Sequence, residues 1–142
     1  MQLTTKGRYA VTAMLDLASN QSTWPVTLDM ISQRQNISLS YLEQLFAKLR
    51  KASLVKSVRG PGGGYLLNVH AEDVSLTQII EAVDENIDLR RCHGSKDCNR
   101  GKQCLSHHLW CEVSDQIRGF LSTRNLQQVM DDYQLSQSLK VS

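Results

Sequence analysis

A helix followed at once by a glycine-rich hairpin is the feature that most constrains the fold of this chain. Five large apolar residues recur at helical spacing on one side of this helix: Leu39, Leu42, Leu45, Phe46 and Leu49. The segment 54–58 then predicts a strand, GPGGG at 60–64 a turn, and 65–67 a returning strand. A two-stranded hairpin that directly follows a helix with one buried apolar stripe is typical of the wing of a winged helix.

The helix before the hairpin has a partner upstream. A short helix is predicted over 28–35, with Thr27 as its N-cap and a break at Asn36. Ser38 and Ser40 can both cap the next helix, and Ser40 with Glu43 three residues later fits a capping box. Two helices joined by a very short turn, the second amphipathic and basic toward its end, predict a helix-turn-helix.

The remaining segments predict four more helices. Residues 8–18 form a largely buried first helix, and Ser75 caps a helix over the next eight residues. A long helix from about Cys104 to Leu121 is apolar on more than one side, so we expect it to pack on its own domain and on a second subunit. A short helix over 125–133 is followed by a frayed tail.

These elements define the predicted architecture, which is mainly α with a small β-hairpin wing. Residues 1–83 form a winged helix-turn-helix DNA-binding domain. Residues 84–104 form a ligand loop, and residues 104–142 form the dimerisation helix and a C-terminal segment.

Charge divides the chain into two halves. Residues 1–67 hold eight Lys/Arg and three Asp/Glu, a net charge of +5, whereas residues 68–142 hold eight and eleven, a net charge of −3. A basic half suggests a polyanion partner, although an ordinary solvated surface explains it equally well. The chain has neither an apolar run of membrane-spanning length nor a signal peptide, so we expect a cytoplasmic protein without membrane contact, where disulfides seldom persist.

Candidate DNA-binding residues follow from the helix-turn-helix. The glutamine amide suits adenine, the glutamate carboxylate suits the cytosine amino group, and serines suit bases or phosphates. Lysine and arginine near the helix ends suit phosphates, and an arginine at the wing tip suits a minor groove. For Glu43, a purely capping role is the alternative. The predicted set is Ser38, Ser40, Tyr41, Glu43, Gln44, Lys6, Arg8, Lys51 and Arg59.

All four cysteines lie between positions 92 and 111. Five residues separate Cys92, Cys98 and Cys104 in turn, and His107 follows after two more. This array lacks the close cysteine pairs of zinc sites and the spacing of plant-type ferredoxins. In the predicted helix, Cys104, His107, His108 and Cys111 share roughly one face. Spacing therefore leaves zinc and an iron–sulfur cluster both open, with reactive thiols as a third reading.

Four segments in this order resemble the IscR-type regulators of iron–sulfur cluster assembly: TTKGRYAVTAMLDLA, ISLSYLEQLFAKLRK, VRGPGGGYLL and the C-x5-C-x5-C-x2-H array. The wider family of winged-helix regulators includes the nitric-oxide sensor NsrR, and the resemblance covers about residues 1–130. It implies a homodimeric transcriptional repressor, and at some promoters an activator, rather than an enzyme. It also implies one [2Fe–2S] cluster per subunit, supplied by the iron–sulfur assembly machinery. The implied ligands are Cys92, Cys98, Cys104 and His107.

One residue departs from the pattern of these regulators. Cys111 is an extra cysteine, which can replace His107 as a ligand, stay an inert thiol or serve as a spare ligand; His108 is a further alternative. A nitric-oxide- or redox-sensing regulator of the same fold is an alternative function. An electron-transfer or thiol-redox protein is another, although it has no use for a polar recognition helix beside a basic wing.

Overall fold

The computed structural model describes residues 5–20, 24–84, 102 and 105–141. Within them the elements are α1 (Thr5–Asn20), α2 (Leu28–Gln35), α3 (Leu39–Lys51), β1 (Val55–Val58), β2 (Gly64–Leu67), a 3-10 turn (Ala71–Asp73), α4 (Leu76–Ala82), α5 (His107–Thr123) and α6 (Leu126–Val141). The predicted class, mainly α with a hairpin wing, is confirmed. None of these helices has the length and apolarity needed to cross a membrane.

The first helix forms the centre of the core. Its buried residues include Ala10, Ala13, Met14 and Leu17, all fully enclosed. The two alanines leave room for neighbouring backbones, and α1 packs against α2, α4, α6 and β2. The helix already begins at Thr5, so it is longer than the sequence predicted.

Helix α3 packs on this centre through the predicted stripe, with one exception. Leu42, Phe46 and Leu49 are fully buried and Leu45 is nearly so. Leu39 is 41% exposed, and its prediction as a core residue was wrong. It is the first residue of the helix and lies at the end of the stripe, whereas the buried leucines belong to the later turns.

The cap of α3 also differs from the prediction. Ser38 is the N-cap, with extended backbone, and its Oγ accepts from the Tyr41 N–H at 3.2 Å. Ser40 lies inside the helix, so the predicted capping box with Glu43 is wrong. A reciprocal box occurs instead at α4, where the side chains of Ser75 and Gln78 bond each other's backbone N–H.

The wing is tied to the segment between α1 and α2. Its two strands pair antiparallel, with Val55 opposite Leu67 and Val58 opposite Gly64. Val26 forms an isolated β-bridge with Tyr65 of β2, in which the two backbones exchange N–H to carbonyl hydrogen bonds of 2.9 and 2.7 Å. A Cβ at position 64 would lie 2.5 Å from the Val26 carbonyl oxygen, so this close approach requires glycine.

The C-terminal segment is more ordered than the sequence predicted. Helix α6 continues to Val141, so the expected fraying after 134 is wrong. Leu126 is fully buried in the same core as α1, and the start of α6 bonds to the segment before α4 through the Leu126 N–H and the Val74 carbonyl at 3.2 Å. The division of the chain at 83 and 104 stays a prediction.

Candidate nucleic-acid interface and ligand residues

The exposed side of α3 carries a polar row. Ser40, Gln44, Ala47 and Lys51 are four, three and four residues apart and all exposed, opposite the buried stripe. Glu43 lies beside this row and is also exposed. The structure therefore brings most of the residues predicted to contact bases to one face. It adds Ala47, whose methyl group suits contact with a thymine methyl.

Tyr41 has a different position from the one that the sequence suggested. It is half-buried, and its ring packs edge-on against Tyr9 of α1, with centroids 5.9 Å apart. This contact fixes the start of α3 relative to α1. Ser38, the cap of α3, is exposed at the same end, and so is Arg8 in the first turns of α1.

Lys48 and Asp84 form an ion pair at the edge of this face. Lys48 Nζ lies 2.8 Å from Oδ2 of Asp84, which belongs to the turn after α4. The ion pair raises the pKa of Lys48 and lowers the pKa of Asp84. The positive charges of Lys6 and Lys51 lower the pKa of Asp84 further. Sequence patterns did not reveal Asp84, because its partners are distant in the chain.

The wing lies beside the end of α3. Arg50 Nη1 donates to Ser57 Oγ at 3.4 Å, which links the recognition helix to β1. Arg59 is exposed in the turn between the strands, as predicted for a wing tip. Arg50 is not among the DNA-binding residues predicted from the sequence. Its position on the exposed side of α3, one residue before Lys51, could have indicated it.

A buried ion pair joins α1 to α2. The Asp16 carboxylate is 1% exposed and accepts from Arg34 at 2.8 and 3.0 Å and from Gln35 at 2.8 Å. The hydrogen bond with Asp16 raises the pKa of Arg34. Since the Asp16 carboxylate accepts three hydrogen bonds, its burial is compensated, and the pair ties the end of α2 to α1.

Of the predicted ligands, His107 lies in the described part of the chain, whereas Cys92, Cys98 and Cys104 lie outside it. His107 is the first residue of α5 and is 4% exposed. Its ring meets that of the exposed His108 edge-on, with centroids 5.8 Å apart. Cys111 follows one turn after His107 and is half-buried. The helix begins three residues after Cys104, so the predicted helical face is observed only from His107 onward.

Helix α5 leaves an apolar face uncovered. Leu109 and Phe120 are 52% and 57% exposed and lie on one side with the half-buried Val113. Leu121 instead packs against the core of its own chain. The helix is thus apolar on two sides, as the sequence predicted.

The family follows from comparison with known proteins. A family model described as "Iron-dependent Transcriptional regulator", Rrf2, matches residues 3–132. This chain belongs to the Rrf2 family. It is therefore a DNA-binding transcriptional regulator, as the winged helix indicated.

Rrf2 relatives with high identity carry the name that the sequence motifs suggested. The regulator IscR of Photobacterium profundum is 57% identical over 132 residues, covering 93% of this chain and 77% of that protein. IscR of Escherichia coli O1:K1 is 53% identical over 135 residues, covering 95% and 83%. The resemblance to IscR-type regulators is confirmed.

Solved Rrf2-type structures share the fold. IscR of T. potens has a TM-score of 0.78 at 37% identity, covering 96% of this chain and 91% of that one. CymR, the global cysteine regulator of B. subtilis, has a TM-score of 0.77 at 32% identity, covering 91% and 95%.

Proposed function

We propose that this Rrf2 protein is a homodimeric regulator of iron–sulfur assembly genes, chiefly a repressor, whose DNA binding depends on one [2Fe–2S] cluster per subunit. The observation that carries the proposal is that regulators named IscR match nearly the whole chain. That match includes both the polar face of α3 and the buried His107. The protein would act in the cytoplasm, on promoter DNA.

Base reading by α3 is supported by the environment of Glu43. Ser38 caps the helix, so capping does not explain the exposed Glu43 carboxylate. A carboxylate repels phosphate, and its presence beside Gln44 is explained if it accepts from a cytosine amino group. Because one such helix contacts only a few base pairs, we propose that two subunits read a pseudo-palindromic site.

The second subunit is supported by the exposed face of α5. Side chains such as Leu109 and Phe120 leave apolar surface in water along one side of α5, which is unfavourable for a monomer. Pairing of two α5 helices would cover this surface and set the distance between the two recognition helices.

Cluster ligation is supported by the chemistry of the donors. Three thiolates and one imidazole can hold a [2Fe–2S] cluster, and we assign these roles to Cys92, Cys98, Cys104 and His107. His107 is buried while its neighbour His108 is exposed, which favours the former as the fourth ligand. A bound cluster would supply a labile, oxidisable group whose occupancy follows the output of the assembly machinery.

Anaerobic purification followed by visible spectroscopy and iron and sulfide analysis tests the sensor. We expect a coloured protein with two irons per subunit, about the same in the Cys111→Ala control and lost or labile in His107→Ala. A colourless protein with stoichiometric zinc would contradict the proposal. Loss of the cluster in Cys111→Ala but not in His107→Ala would make Cys111 the fourth ligand.

Measurement of duplex binding with and without the cluster tests whether the cluster controls DNA affinity. Holo and apo protein should differ in affinity for at least one promoter, because a cluster that biases the dimer must bind one arrangement better. Equal affinities at every natural promoter would remove the sensing role and leave a regulator controlled by other means.

A further inference from the structure

The turn after α4 directs an acidic side chain back onto the recognition helix. Asp84 has a left-handed backbone, with φ of 63°, and its N–H donates to the Glu81 carbonyl at 3.0 Å. In this turn its carboxylate reaches Lys48 Nζ at 2.8 Å. Outside glycine, left-handed backbone is found most often at Asn and Asp, so both the conformation and the contact suit this residue type.

The Asp84 carboxylate contacts Lys48 and lies in an environment that two further lysines make positive. Lys48 and Lys51 belong to the end of α3 and Lys6 to the start of α1, and all three contribute to the electrostatic environment of Asp84. Lysine side chains at this edge of a recognition helix are suited to DNA phosphates. Asp84 therefore holds, from within the chain, a cation that phosphate would otherwise bind.

Stability alone is a weak reason for this contact. The side chains of Lys48 and Asp84 are 37% and 71% exposed, and exposed ion pairs contribute little to folding. Their effect on a polyanion is larger, since a carboxylate at this edge repels phosphate and occupies its partner.

We propose that Asp84 is an internal competitor for DNA phosphate, which lowers the affinity of the regulator for every duplex by holding Lys48. Binding of DNA then exchanges a carboxylate for a phosphate at Lys48, so this lysine adds less to counterion release than an unoccupied one would. The inference rests on the proposed contact of α3 with DNA, and it assigns Asp84 a role in affinity, not in base choice.

Asp84→Asn tests the competition, because asparagine keeps the size of the side chain and tolerates left-handed backbone. The probe is a mixed-sequence duplex of about 30 base pairs, long enough for two half-sites one turn apart. We expect affinity to rise about three- to tenfold at low salt, and the slope of log K against log[salt] to steepen by up to about 0.9. Asp84→Gly, which also fits the turn, should act in the same direction.

Asp132→Asn is the matched control. It removes an exposed carboxylate on α6 that lies 3.5 Å from Arg124, and so changes the net charge equally. We expect its effect to stay within about twofold, because Asp132 pairs with an arginine outside the proposed DNA-binding residues and its exposed charge is screened by salt. In a Lys48→Gln background, the gain from Asp84→Asn should shrink toward this control level.

The experiment distinguishes failure of the proposed competition from failure of DNA binding itself. If the parent protein binds the duplex and Asp84→Asn equals Asp132→Asn, the competition is overturned while DNA binding stands. Weaker binding by Asp84→Asn also overturns it, and means that Asp84 orients Lys48 toward phosphate. If the parent protein binds no duplex at any salt concentration, the proposed function fails and this inference fails with it.

Discussion

Helices α3 and α5 differ in which side chains they bury and which they expose. In α3 the buried residues are Leu42, Leu45, Phe46 and Leu49, and the outward side is polar. In α5 the buried residues are His107 and Ser114, both polar, while Leu109 and Phe120 are exposed. Helix α3 buries its leucines and phenylalanine within its own chain, apart from Leu39, and its exposed side is polar. Helix α5 buries two polar side chains, packs Leu121 on its own core and leaves Leu109 and Phe120 in water.

This contrast separates two kinds of partner. A polar exposed face on a rigid, well-packed helix suits hydrogen bonding to base edges without rearrangement. An apolar exposed face suits a protein surface, because removal of apolar area from water drives association. The same chain therefore has a polar surface suited to DNA and a separate apolar surface suited to the second subunit that we propose.

The largest expected effect is on the packing of α3. Phe46 is fully buried and its ring packs on Tyr65 of the wing, with centroids 4.9 Å apart. Phe46→Ala should lower the free energy of unfolding by about 3–5 kcal/mol, because it leaves a cavity. Urea denaturation at fixed protein concentration measures this, with Leu39→Ala as the exposed control. A loss below about 1 kcal/mol for Phe46→Ala would refute the packing contrast.

Disruption of the apolar face of α5 should come next. Phe120→Asp should raise the dimer dissociation constant by about thirtyfold or more, equivalent to about 2 kcal/mol for one interface hot spot. Sedimentation equilibrium measures this, and circular dichroism should show the fold retained. Leu135→Asp on α6, at a position 61% exposed, is the control. Equal dissociation by both variants would show that α5 does not form the interface.

Replacement of the polar face of α3 should separate specificity from affinity. Glu43→Ala should relax discrimination at one base position by about 1–3 kcal/mol. Lys51→Ala should weaken all sequences alike and flatten the salt slope by about 0.9. Titration against a panel of singly substituted duplexes measures both. Unchanged relative affinities in Glu43→Ala would exclude that residue from base reading.

The smallest effect concerns the cap of α3. Ser38→Ala should cost about 1 kcal/mol of stability, since it leaves the Tyr41 N–H without its acceptor. Ser40→Ala should change stability by less than about 0.5 kcal/mol, because Ser40 lies inside the helix on the exposed side. Thermal denaturation compares the two. The reverse order would restore the cap predicted from the sequence.

Two predictions from the sequence were wrong at the ends of helices. The sequence pattern allowed two caps for α3, and the choice between Ser38 and Ser40 depends on where the backbone becomes extended, which a short motif does not specify. Helix α6 was predicted too short because its apolar residues, such as Leu135 and Leu139, do not form a single stripe and stay exposed. Periodicity detects helices that bury one side and gives little signal for such a helix.

Sequence alone determined the order of the elements, the helix-turn-helix with its wing, and the family of regulators. These features depend on short-range signals: apolar periodicity, the Thr27 cap and the glycine run that turns the hairpin. Tertiary structure alone decided which distant residues meet across the chain. Val26 joins the wing at Tyr65, and Asp84 reaches Lys48, although about forty residues separate each pair. Such contacts depend on how packed helices bring distant segments together, a property that no local pattern encodes.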